Sequence, residues 1–144
     1  MDCQWDGKWL GLVWNAESSE KVTEFKSPLN TSVREVDVSP DSTQIASGSS
    51  DGIVFVWSLL TWEQLFGPWR PSTGEDVLAV KFSPDGRPIA TTTKRERAWG
   101  GPCVNLRVND SQDGHILAEV TIKTSNFSEQ PLAWSNNSKQ LFAL

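Results

Sequence analysis

The sequence predicts an all-β chain built from repeated units of four short antiparallel strands, and three observations carry that reading. First, Val33 to Leu59 holds three β patterns separated by two turn signals, and the third closes on Trp57. Second, Ser83-Pro84-Asp85 follows Ser39-Pro40-Asp41 after 44 positions (83 − 39), with DVLAVKFSPDG matching SVREVDVSPDS around it. Third, both ends of the chain read as halves of the same unit.

Taken in order, residues 1–26 supply two strands. Trp9 to Trp14 (WLGLVW) is apolar, Asn15 to Ser19 is a polar turn, and Glu20 to Lys26 alternates around Val22 and Phe25. Residues 27–75 hold the complete unit. In VREVDVS, Val33 and the Val36/Val38 pair are set against charged neighbours, which suits a strand with one wet face. SPDS is a turn, because Pro40 presets φ and Asp41 can bond its own backbone. Gln44 to Ser50 is the second strand, and Asp51-Gly52 a tight hairpin turn. Ile53 to Trp57 is almost wholly apolar, β-branched or aromatic, so burial on both faces is expected. Glu63 to Trp69 is the fourth strand, with Pro68 at an edge position where a missing N–H costs nothing.

Residues 76–129 repeat the unit, with strands at Pro88–Lys94, Cys103–Asn109 and His115–Lys123 after the first. Two departures stand out: Asn109 occupies the position of Trp57, and KRERAWGGP from Lys94 to Pro102 replaces the tight turn. The expectation is that this unit has lost most of the hydrogen-bonded network of its neighbour. Residues 130–144, QPLAWSNNSKQLFAL, begin a further unit with two strands.

A period of about 40–45 residues is the signature of propeller blades. The segment IASGSSDGIVFVWS follows the WD40-repeat pattern LASGSDDGTVRVWD nearly position for position, so the chain resembles that family. The resemblance implies a hydrogen-bonded network of turn Asp, strand Ser or Thr and strand Trp with a loop His. Those roles would fall to Asp51, Ser47 and Trp57, while Pro28-Leu29 stands about where the family has Gly-His. It further implies WD40-like β-propeller blades, about three in this chain: two complete ones, plus outer strands at 1–26 and inner strands at 130–144. Because propellers typically have four to eight blades, ring closure needs a second chain or further sequence. A two-fold dimer lending inner strands to outer ones, and a piece of a longer propeller, are both open.

Composition narrows the function. Net charge is −5 with a pI near 4.8, so no basic footprint argues for nucleic acid. No apolar run reaches membrane-spanning length and no secretory start is legible, which together with only Cys3 and Cys103 points to a reduced, cytoplasmic setting. His115 is a lone histidine, and no nucleophile, paired-carboxylate or phosphate-loop pattern is present, so neither catalysis nor a metal or cofactor is expected. What the resemblance implies is a non-catalytic interaction scaffold that docks a protein or peptide through its loops. Arg95, Arg97 and Trp99 of the insertion are candidate contacts, being residue types favoured at interfaces. Trp62 and Trp69 are further candidates if exposed together, the alternative being packing between blades. Two other readings stay open: the C-terminal sensor of a larger signalling ATPase, and a glycan or small-molecule binder that stacks sugar rings on Trp62 or Trp99.

Overall fold

The computed structural model describes residues 10–26, 31–70, 74–95, 103–123 and 132–143, and every regular element among them is a strand. β1 (Leu10–Trp14) and β2 (Lys21–Lys26) form an antiparallel pair. β3 (Val33–Val38), β4 (Gln44–Ser49), β5 (Val54–Ser58) and β6 (Gln64–Trp69) form a four-stranded meander in chain order. β7 (Asp76–Phe82), β8 (Pro88–Arg95), β9 (Cys103–Asp110) and β10 (Ile116–Lys123) form a second one. β11 (Leu132–Trp134) and β12 (Leu141–Ala143) are a final pair. The architecture is that of successive propeller blades, and the described strands do not close a ring.

The turns are chemically repeated. Ser39 Oγ donates to Asp41 Oδ1 at 2.6 Å, Ser83 to Asp85 at 2.5 Å, and Ser135 to Asn137 at 2.7 Å. Each tight turn contains a left-handed residue at the same place: Ser42 (φ 57), Gly86 (φ 76) and Ser138 (φ 57). Across the other hairpin, Ser49 N–H donates to Ile53 O, and Gly52 takes φ 77, a conformation that favours glycine.

The two meanders pack face to face. Ala46, Val54 and Val56 meet Val77, Val80, Phe82 and Ile89, with Phe66 and Trp69 closing the outer side. β4 comes unusually near β7: a Cβ placed on Gly48 would stand 2.5 Å from Val77 Cγ1 and 2.7 Å from Val80 Cγ2. The opposite face of the first meander buries Ile45, Ile53, Phe55 and Trp57, and Val13 of β1 packs on it. Burial of β5 on both faces, expected from its composition, is complete.

β3 is covered on the face opposite to the one its valines suggest. Val36 and Val38 are 45% and 46% exposed, whereas Asp37 is half-buried. Asp37 turns toward β7, where its carboxylate accepts the Phe82 N–H at 2.7 Å and meets Lys81 Nζ at 3.2 Å. A period of two separates the two faces of a strand without saying which one has a neighbour. Beyond β7, Trp134 Nε1 donates to Lys81 O at 3.3 Å and Ser138 Oγ accepts the Asp85 N–H at 3.0 Å, seating β11–β12 beside the second meander.

Candidate functional site

In the first meander, Trp57 and Ser47 lie on one face of adjacent strands, since Ile45 pairs with Trp57 and Ser47 with Phe55. Trp57 Nε1 donates to Ser47 Oγ at 3.1 Å, and the indole stacks obliquely on Phe55 with ring centroids 5.6 Å apart. Asp51 instead accepts from Ser49 Oγ within its own hairpin. The three residues named from the sequence thus split into a Ser47–Trp57 bond and a Ser49–Asp51 bond, both internal to one sheet.

The second meander has no counterpart of the Ser47–Trp57 bond, as expected, but it contains a different network that the sequence reading missed. Glu75, 2% exposed, receives Thr93 Oγ1 and the Asn105 Nδ2 donor, the latter at 2.8 Å. Arg107, also buried, donates to Thr93 Oγ1 at 3.1 Å and lies 3.5 Å from Glu75 Oε2, and its Nη2 reaches Glu119 Oε1 at 2.7 Å. Thr121 adds a bond to Asn105 Oδ1 at 2.6 Å. Pairing registers explain the origin. Ser47 faces Phe55 and Thr91 faces Arg107, so Arg107 stands where the first meander has Phe55. Ile45 faces Trp57 and Ile89 faces Asn109, so Asn109 stands where it has Trp57. The aromatic pair has become an Arg–Asn pair, and a buried guanidinium demands a carboxylate. Asn109 is too short to repeat the indole bond. It donates instead to Gly114 O at 2.9 Å, and Thr91 Oγ1 and Asn109 Oδ1 find no partner among the described residues.

This network sits at the root of the β8–β9 insertion. Thr93 pairs with Asn105, Lys94 with Val104 and Arg95 with Cys103, so the insertion leaves a sheet end pinned by buried charge. Arg95 is exposed there, while Arg97 and Trp99 lie outside the described residues. Trp62 and Trp69 are not brought together. Trp62 is half-buried in the turn before β6 with φ 62, its N–H donating to Ser58 O. Trp69 ends β6 and packs against Phe66 with centroids 6.5 Å apart, on the core between the two meanders.

A groove of about 740 Å³ runs between the repeated turns, lined among others by Asp41, Gln44, Asp85, Arg87 and Ser111. Its carboxylates are tuned for structure: the Ser39 hydroxyl holds Asp41 below the ordinary carboxylate value, and the Ser83 hydroxyl does the same for Asp85. Among the described residues no group of His, Cys, Asp and Glu side chains could hold a metal ion, and no helix is long and apolar enough to cross a membrane.

The WD domain, G-beta repeat family matches residues 19–58, which span β2 to β5. The chain is similar to the Protein LST8 homolog of Drosophila melanogaster, 29% identical over 87 residues that are 57% of this chain and 28% of that protein. It is also similar to Eukaryotic translation initiation factor 3 subunit I of Emericella nidulans, 28% identical over 134 residues, 91% of this chain and 39% of that protein. The chain therefore spans well under half the length of these curated relatives. The two complete four-stranded blades in tandem, with a match to the WD domain, G-beta repeat at 19–58, make the chain similar to WD40-repeat proteins, as a partial array of WD40-like blades.

Proposed function

We propose that the chain is a non-catalytic interaction scaffold that docks a protein or peptide through the β8–β9 insertion, with Arg95, Arg97 and Trp99 as contacts. The observation that supports this reading is the buried Glu75–Thr93–Asn105–Arg107 network beneath the insertion, which gives an exposed Arg-bearing loop root a rigid base. Interfaces favour such residues on loops carried by fixed scaffolds. Trp69 serves packing rather than docking in this reading, and Ser47, Asp51 and Trp57 serve the first blade. One relative is named as a subunit of a translation initiation factor, in keeping with work as a component of a protein complex. The test compares proteins retained by the chain and by an Arg95→Ala/Arg97→Ala/Trp99→Ala variant of equal thermal stability. A partner lost selectively from the variant supports the site, and an unchanged set of partners removes it. A glycan array with the Trp99→Ala control separates sugar binding from protein binding.

The array itself is read as 1–26 outer strands, 27–75 and 76–129 blades, and 130–144 inner strands. Its uncovered faces fit completion by further strands of the same kind. Val36 and Val38 lie bare on the inner half of one outward face, and Val120 and Ile122 on the outer half of the other. β11–β12 of a second copy, joined to β1–β2, would cover both. Light scattering across a dilution series tests this: a stable two-chain mass supports exchange, and a one-chain mass removes it.

A further inference from the structure

The two outer strands, β6 and β10, have no neighbouring strand on their outer edges among the described residues, and they differ in how those edges are guarded. β6 carries Gly67 and Pro68, and its pairing with β5 is interrupted twice. Such breaks and prolines are the usual protection of an edge. β10 has neither glycine nor proline, and it pairs with β9 without interruption from Ala118 to Lys123. Every residue of it is exposed, including Leu117 and Val120 at 54% each. An edge of this kind is a template for another strand.

The direction of its free groups follows from the turn. Asp110 N–H donates to His115 O, so alternate β9 residues, Val108, Leu106 and Val104, turn their backbone toward β10. Their partners Ala118, Val120 and Ile122 are thereby engaged. Leu117, Glu119, Thr121 and Lys123 present theirs outward.

We propose that β10 pairs antiparallel with β10 of a second copy of this chain, centred on Thr121. In this register Glu119 of each copy opposes Lys123 of the other, and both are residues whose backbone groups point outward. Val120 then opposes Ile122 in the close, non-hydrogen-bonded positions. Centring on Glu119 would set two like charges face to face, which is unfavourable. Charge and apolar complementarity both select the second copy as occupant. This contact lies on a strand edge, distinct from the sheet-face exchange considered above, and does not depend on it.

Mixing Val120→Cys and Ile122→Cys chains, both in a Cys3→Ser/Cys103→Ser background, tests the register under mild oxidation. The closest antiparallel pairs match the Cα spacing of a disulfide. The expected result is a disulfide-linked dimer in the mixture, at least tenfold more abundant than with either variant alone. Lys123→Glu, which sets Glu against Glu twice, should weaken self-association about tenfold without changing the circular dichroism spectrum. Equal cross-linking in the single-variant samples, or none in the mixture, overturns the proposal. So does self-association indifferent to Lys123→Glu, and face exchange would give that pattern.

Discussion

Arg107 and Glu75 illustrate how one residue dictates its neighbours. A guanidinium in the place of Phe55 is tolerable only because a carboxylate, a threonine and an asparagine converge on the same spot. Removing one partner leaves a buried charge: Glu75→Leu should cost about 3–5 kcal/mol in urea unfolding. Replacing both with the residues at the matching places of the first blade, Glu75→Thr with Arg107→Phe, should recover most of that loss, because apolar substitutes for a buried pair are often neutral. A double variant as unstable as the single would show that the charges are not coupled. Thr91 offers the complementary case. Its hydroxyl is fully buried without a partner among the described residues, so Thr91→Val should raise stability by about 1 kcal/mol, and an unchanged midpoint would show that the hydroxyl is satisfied. Asp41 and Asp85 have lowered carboxyl pKa values in the fold, from the Ser39 and Ser83 hydroxyls respectively. Their contribution is therefore present above the ordinary value of 3.8 and is lost as pH falls through the lowered folded values. Ser39→Ala/Ser83→Ala should flatten the acid limb of a stability–pH curve, with little change in its slope near pH 7.

At the level of the strand, closeness of approach is what joins the blades. Gly48 lets β4 meet Val77 and Val80 directly, and these β-branched side chains are stiff. Gly48→Ala should destabilise by about 1–3 kcal/mol through overpacking, measurable as a lower thermal midpoint, and Gly48→Ala/Val77→Ala should regain part of it. The strands themselves were legible in the sequence. β5 announced itself by unbroken β-branched and aromatic residues, and the turns by Ser-Pro-Asp and Asp-Gly. What was not legible lay across strands. Glu75, Thr93, Asn105 and Arg107 are scattered through the chain and match no local pattern, so only the registers bring them together. The covered face of β3 was hidden for a similar reason, since Asp37 is drawn inward by an N–H on another sheet.

For the molecule as a whole, the exposed valines on two outward faces define what completion must cover. Val38→Asp should lower the mass of any closed assembly in light scattering, while an exposed position changes the intrinsic stability by no more than about 0.5 kcal/mol. Retention of the assembly by this variant would mean that the face stays bare. The unlike faces of the two blades matter beyond stability. Repeats of one sequence can mate with the wrong neighbour as they emerge from synthesis, because every surface fits every other. Here the first blade offers Phe55 and Trp57 where the second offers Arg107 and Asn109. A second sheet that strayed into the first one's place would carry its Glu75–Arg107 pair with it, but would set Arg107 and Asn109 against Val13 of β1, which packs on the cluster of Phe55 and Trp57. The unlike faces thus act as an address, favouring one seat for each blade in the order of assembly.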